Sequence, residues 1–358
     1  MKNTSDKTSL IEREPDFGNL LKVLAREVPD RPTLFELFMN PPLYCKAVGP
    51  TLAARLAAGS DPHLALRVHG FRALGYDYAT LNLPGFGFPH GERESKATRS
   101  LNAGSLVHDR ATFDRYVWPN PDAADYAALD RLAAPLPPRM KLVVMGPGGV
   151  LENANSIVGY ENLCFLLNDD PTLAFDIFEA IGSRLVRYYE NAVRHDAVGA
   201  IIVNDDWGFK TQPMLTPTDM RRYVGPWHKR IVESAHAVGK PAILHSCGNL
   251  TCLMDDIIDD IGYDGRHSYE DAIQPVEDFY DEYGGRIAVL GGMDVDFMIR
   301  HTPDEIRARA RAMLDKTAAR GGYALGTGNS VPEYLPDDHY FAMADTARET
   351  DSIGEGVT

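Results

Sequence analysis

The sequence has only four cysteines in 358 residues, Cys45, Cys164, Cys247 and Cys252, too few and too scattered for a disulfide framework. It has no apolar run approaching the roughly 18–20 residues that span a bilayer. Its opening stretch, Met1 to Asp16, is polar and charged, without the apolar centre of a signal peptide. A reduced, cytoplasmic protein that engages no membrane is therefore expected. Positive charge is also in short supply: 36 basic side chains face 51 acidic ones, a formal charge of −15. Such a surface repels nucleic acid and itself, and it leaves the choice of a small substrate open. Three motifs are missing too. Without G-x-S-x-G, H-E-x-x-H or a CxxC pair, the chain is not a serine hydrolase of the common type, a zincin or a zinc ribbon. It has no internal repeat, coiled-coil heptad or low-complexity tract.

What remains is an ordinary globular composition, 44% hydrophobic and 24% charged with a mean hydropathy of −0.25, able to bury a large core. Short apolar runs alternate with longer helical patterns. The strand candidates are Thr33–Phe38, Tyr78–Leu83, Lys141–Gly146, Ala200–Asn204, Pro241–Ser246, Tyr263–Ser268, Arg286–Gly291 and Gly322–Gly326. Helical patterns include Pro171–Arg194, Pro217–Ala237, Val276–Tyr283 and Pro303–Ala319. Eight such runs alternating with helices point to an α/β fold, a single (β/α)8 TIM barrel, with a doubly wound sheet as the alternative. The barrel is expected over residues 17–350, between a flexible N-terminal tail (1–16) and a C-terminal tail (351–358). The long Pro/Gly-rich connection after Leu83 predicts loops and short helices over the C-terminal face.

In a barrel the C-terminal strand ends converge on one face, and here those ends are polar. They carry Glu36, Asn82, Gly146-Pro147-Gly148-Gly149 with Glu152, Asn204-Asp205-Asp206-Trp207-Gly208, His245-Ser246-Cys247-Gly248, His267-Ser268-Tyr269-Glu270-Asp271 and Thr327-Gly328-Asn329-Ser330. Such groups are costly to bury singly, so their recurrence at one end argues for a site. His245 and Cys247, two apart at a strand end, offer the imidazole and thiolate that zinc prefers, with Gly248 leaving room for an ion. The plainer reading makes Cys247 core filling and His245 a hydrogen-bonded side chain. Cys252 is either a third ligand or packing. Asp205 and Asp206 read as a carboxylate pair or as a turn or helix cap. Glu270 and His267 read as metal ligands, as an acid and base, or as solvated loop residues. Gly146–Gly149 has the flavour of a phosphate loop without its Lys-Ser/Thr.

At His245-Ser246-Cys247-Gly248-Asn249 and Gly326-Thr327-Gly328-Asn329-Ser330-Val331-Pro332 the chain resembles the uroporphyrinogen decarboxylase superfamily, and within it the zinc-dependent, corrinoid-linked methyltransferases. Supporting segments are Gly159-Tyr160-Glu161-Asn162-Leu163, Asn204-Asp205-Asp206-Trp207 and Leu290-Gly291-Gly292-Met293-Asp294, so the resemblance spans roughly residues 30–345. It implies a (β/α)8 barrel and methyl transfer between a small methylated substrate and a corrinoid (cobalamin) carried by a partner protein. It also implies zinc on His245 and Cys247, with Trp207, Gly328 and Asn329 facing the cofactor. Two departures shape the reading. The segment after the first strand lacks the arginines with which the decarboxylases grip a polycarboxylate, which argues against that activity. The glycine-rich loop at Asn329 lacks the second cysteine of the thiol methyltransferases. If zinc binds, oxygen or nitrogen donors, water or substrate must then complete the site, with Glu270 ahead of Glu36 and Asp206. An ion with fewer thiolates is a stronger Lewis acid, suited to a methyl ether such as a methoxylated aromatic. Asp206, Asp205 and Glu270 are the expected catalytic carboxylates. The competing readings are a decarboxylase or lyase on the same scaffold and a non-catalytic tetrapyrrole- or corrinoid-binding protein.

Overall fold

The computed structural model describes residues 13–91, 101–102 and 104–354. Seven parallel strands form one curled sheet in sequence order. They are β1 (Tyr78–Asn82), β2 (Lys141–Met145), β3 (Val198–Asn204), β4 (Ala242–His245), β5 (Gly265–His267), β6 (Ala288–Leu290) and β7 (Tyr323–Ala324). Helices lie between successive strands, as right-handed parallel crossovers require. Apolar runs such as Leu142-Val143-Val144 and Ile201-Ile202-Val203 are buried on both faces because helices cover the outside and side chains fill the inside.

The eighth expected strand is present as a stave rather than a regular strand. Residues 33–39 are bonded to the last stave through main-chain contacts: Phe35 donates to the Leu325 carbonyl at 2.8 Å and Leu325 donates to that of Thr33 at 2.8 Å. Toward β1 the closure is made by side chains instead. The Tyr78 hydroxyl accepts from the Glu36 amide at 2.7 Å and donates to its carbonyl at 2.8 Å, and the Thr80 hydroxyl donates to Leu37. A barrel therefore closes with seven strands and one strut, and the doubly wound alternative falls away.

Most expected helices appear within a few residues of their predicted ends. Val276–Tyr283 is found as read; Pro171–Ala192 and Pro303–Thr317 stop two residues short of expectation. The pattern from Pro217 to His236 contains a wider π turn at Met220–Val224. The long connection after β1 carries the short helices Arg110–Arg115 and Ala127–Ala133, and residues 92–100 and 103 lie outside the described residues.

Of the expected tails, residues 1–12 and 355–358 also lie outside the described residues. Residues 13–16 are docked: the Asp16 amide donates to Asp77 at 2.8 Å and its carboxylate caps the helix Phe17–Leu24. At the other end the helix Asp337–Gly354 runs into the expected C-terminal tail. Among the described residues no helix is long and apolar enough to cross a membrane.

Candidate metal centre and active site

Strand register brings the key side chains level. Asn204 of β3 pairs with His245 of β4, which pairs with His267 of β5. Beyond these pairs the two loops after β3 and β4 continue as an irregular ladder. Asp205 donates to the His245 carbonyl at 2.9 Å, the Trp207 amide to the Ser246 hydroxyl at 3.1 Å, and Gly208 to the Cys247 carbonyl at 3.2 Å. The Cys247 amide donates to Asp206 Oδ1 at 3.0 Å. A side chain on Gly248, whose φ is +92°, would sit 2.2 Å from the Gly208 backbone, so the space expected for an ion is taken by the neighbouring loop. What the glycine pair permits is the close approach that sets Asp206 beside Cys247.

The result is a cluster of Asp206, His245 and Cys247 whose ligand atoms lie within 4.8 Å of one another. Cys247 Sγ is 3.9 Å from His245 Nε2. The thiol is also approached by Asn329 Nδ2 at 3.5 Å and Ser268 Oγ at 3.5 Å. Burial, followed by the nearby Asp206 carboxylate, pushes the Cys247 thiol up to about 12. Burial, aided by the Arg266 charge, holds the His245 imidazole down to about 3, so the ring is neutral.

Its tautomer follows from its neighbours. His267 Nε2 lies 3.1 Å from the Thr327 carbonyl, which can only accept, so that nitrogen carries the proton. Burial keeps His267 neutral as well, so its Nδ1 is bare. His245 Nδ1 lies 2.7 Å from His267 Nδ1 and must therefore be the donor. That leaves the lone pair on His245 Nε2, facing Cys247 and Asp206. A hydrogen-bonded second nitrogen is how metal-binding histidines are oriented. The donor set of neutral imidazole, thiol and carboxylate fits zinc.

The chain of contacts extends to Glu36. Thr327 donates its amide to Glu36 Oε1 at 2.8 Å, while its hydroxyl lies 2.5 Å from Oε2 and also contacts the Asn329 carbonyl. One hydroxyl proton cannot serve two acceptors. A protonated Glu36 resolves the count by donating to Thr327 Oγ1, which donates onward to Asn329. Burial raises the Glu36 carboxyl to about 8, against the Thr327 hydrogen bonds, in agreement. Glu36 is thus a buried acid two contacts from His267 rather than a ligand. Its pKa rises on folding, so its stabilising contribution is complete below the unfolded value of 4.5 and is lost as pH climbs through about 8. The wild type is expected to lose about 2–5 kcal/mol relative to Glu36→Gln between pH 5 and pH 9, read from denaturant melts at both pH values.

The remaining predicted residues are placed elsewhere. Asp205 is fully buried and accepts from the Leu151 amide at 2.9 Å, the Glu152 amide at 2.7 Å and His228 Nε2 at 2.9 Å. It fills the N-terminus of the helix Val150–Val158, where a phosphate would sit, and Gly149 leaves it the room: a Cβ there would be 2.0 Å from Asp205 Cβ. Trp207 is buried against His228, with ring centroids 4.7 Å apart. The expectation of Trp207 at the cofactor gives way to packing. Gly328 is required because a Cβ would lie 2.2 Å from the Tyr269 carbonyl oxygen. Cys252 is exposed and outside the cluster. Glu270 is outside it too: the chain turns after β5, and the half-buried side chain lies 3.7 Å from Lys210. Asp206 stands where Glu270 was expected. His267, read from the sequence as a metal ligand, as an acid or base or as a solvated loop residue, is instead buried as the orienting partner of His245, while Ser268 had no separate sequence signal.

The profile of the uroporphyrinogen decarboxylase (URO-D) family matches residues 107–350. The chain belongs to this family. The uroporphyrinogen decarboxylase of Bacillus mycoides is 25% identical over 182 residues, 50% of this chain and 48% of that one. That of Anaeromyxobacter dehalogenans is 26% identical over 289 residues, 76% and 80% of the two chains. The chain spans about half the length of most of the curated relatives it matches. A methyltransferase from Methanosarcina mazei shares the fold, with a TM-score of 0.67 at 16% identity over 92% of this chain and 97% of that one. In this URO-D family member the first stave ends without arginine, yet the helix Pro62–Ala73 lays Arg67 against it. The Arg67 guanidinium stacks over Phe38 at 5.1 Å and reaches the Leu37 carbonyl at 3.5 Å.

Proposed function

We propose that this protein is a zinc-assisted methyltransferase that moves a methyl group between a small methylated substrate, a methyl ether above others, and the corrinoid cobalt of a partner protein. The observation that carries the reading is the bare His245 Nε2 set beside Cys247 and Asp206 by the Thr327–His267–His245 relay. Asp206, His245 and Cys247 would hold the ion. When bound, zinc supplies Lewis acidity toward the heteroatom that carries the methyl group. One thiolate among three protein donors favours an oxygen substrate over a thiol.

The chain's own residues have separate tasks. His267 fixes the ring of His245, and the Cys247 amide fixes the carboxylate of Asp206. Asn329 and Ser268 stabilise the sulfur as an anion. With Asp206 engaged as a donor and Asp205 as a helix anchor, Glu270 is the carboxylate left to manage a proton at the mouth, where it lines two adjoining cavities.

The test is a spectrophotometric assay of methylcobalamin formation from cob(I)alamin with methoxylated aromatics, methylamines, methanol and methylated thiols, with zinc measured on the same protein. Turnover with an ether by zinc-containing protein, lost on chelation and restored by zinc, is expected. No turnover with any donor, or turnover indifferent to chelation, contradicts the proposal. Release of CO2 from a carboxylated substrate by the chelated protein would point to decarboxylase chemistry instead.

A further inference from the structure

Arg266, the middle residue of β5, is buried and points away from the His245–His267 face. Its guanidinium lies between two rings, 5.1 Å from that of Tyr269 and 4.9 Å from that of Phe279. Among the described residues no carboxylate pairs with it, and its Nε has no hydrogen-bond partner. A buried cation without a counter-charge is costly, and stacking on two rings offsets only part of that cost. Arg266 lines a cavity of about 20 Å³ closed by Gly248, Ser268, Tyr269, Glu270 and Gln274. The acidic side chain on that wall, Glu270, is turned to Lys210, and Gln274 is bonded to Glu282.

Two features tie this cavity to the metal cluster. Ser268 forms its wall and lies 3.5 Å from Cys247 Sγ; its backbone is held at φ 151°, a conformation a serine seldom adopts and one that clusters at functional sites. The cavity also shares Tyr269 and Glu270 with a mouth groove of about 370 Å³ that includes Asn329, itself in contact with Cys247.

We propose that Arg266 anchors a carboxylate-binding subsite beside the metal cluster. The small cavity takes the two oxygens of a carboxylate, which a planar guanidinium pairs with two parallel hydrogen bonds. The larger groove takes the remainder of the molecule. The carboxylate comes either from a free small anion or from the substrate. That the substrate is a methyl ether carrying a carboxylate rests on the methyltransferase reading; anion binding at Arg266 does not.

The test uses the full chain in chelator with no methyl acceptor, so its result is independent of zinc and of turnover. Formate is titrated against matched sodium chloride while thermal melting is followed, with 4-methoxybenzoate and uncharged methoxybenzene as further ligands. A saturable rise in melting temperature with formate is expected. The affinity falls at least about tenfold in Arg266→Met, and Arg266→Lys retains a weaker response. If the substrate supplies the carboxylate, 4-methoxybenzoate binds more tightly than formate and methoxybenzene does not bind. If only free anions use the site, formate binds as well as or better than 4-methoxybenzoate, which confirms the subsite and removes its assignment to the substrate. No saturable response in the wild type, or an equal response in Arg266→Met, overturns the proposal. Should the variants not fold, a wild-type crystal grown in formate decides it: a carboxylate found away from Arg266, or none, is the contrary result.

Discussion

Cys247→Ala is expected to yield a folded protein that retains less than about a tenth of an equivalent of zinc and loses methyl transfer by more than about 100-fold. Loss of an orienting partner of a metal ligand already costs about 10–100-fold, and loss of the ligand itself exceeds that. Asp206→Asn is expected to behave likewise, because the proposed centre takes that carboxylate as its third donor. Glu270→Gln keeps its metal, because Glu270 stands outside. The proton balance makes the same point. His245 is already neutral, whereas the Cys247 thiol, pushed up to about 12, must release its proton to solvent before it can bind a metal. Metal affinity should therefore rise with pH, one proton being released from the thiol per ion bound. Metal content by plasma emission, with the assay on the same samples, checks these variants. Full metal occupancy in Cys247→Ala would remove the site from consideration.

The largest expected loss of stability falls on Asp205, not on a cluster residue. Asp205→Ala strands the amides of Leu151 and Glu152 and the imidazole of His228, all paired with that carboxylate at 2.7–2.9 Å. Breaking a buried pair of this kind costs about 3–5 kcal/mol. Tyr263, whose hydroxyl is 2.7 Å from His228 Nδ1, loses its fixed partner as well. Urea unfolding followed by circular dichroism should show the midpoint falling with little change in slope. A loss below about 1 kcal/mol would mean that Asp205 is not the anchor of the helix Val150–Val158.

The strands and the candidate metal-binding pair were legible in the sequence for different reasons. Lys141–Met145 and Val198–Asn204 announce themselves because a strand covered on both sides is apolar throughout. The Thr33–Phe38 run has that composition too, but its Glu36 accepts from Thr327 and its main chain bonds the Tyr78 hydroxyl, so only part of a ladder forms. His245-x-Cys247 stood out because its donor chemistry is local. The third donor did not, because it depends on how the Gly208 and Gly248 loops touch, a contact between residues 40 apart. Asp205 and Asp206 are adjacent and alike in sequence; the fold turns one into the helix terminus and the other into the cluster. The guanidinium of Arg266 was invisible for a similar reason, since nothing in the sequence shows that no carboxylate among the described residues reaches it.

Zinc K-edge absorption on the zinc-loaded wild type bears most directly on the central claim that Asp206, His245 and Cys247 form a metal centre. A first shell with one sulfur at about 2.3 Å and nitrogen or oxygen donors at about 2.0–2.2 Å is the predicted result, with the sulfur lost in Cys247→Ala. A shell with two sulfurs, a shell with none, or a wild type that binds no stoichiometric zinc would contradict it.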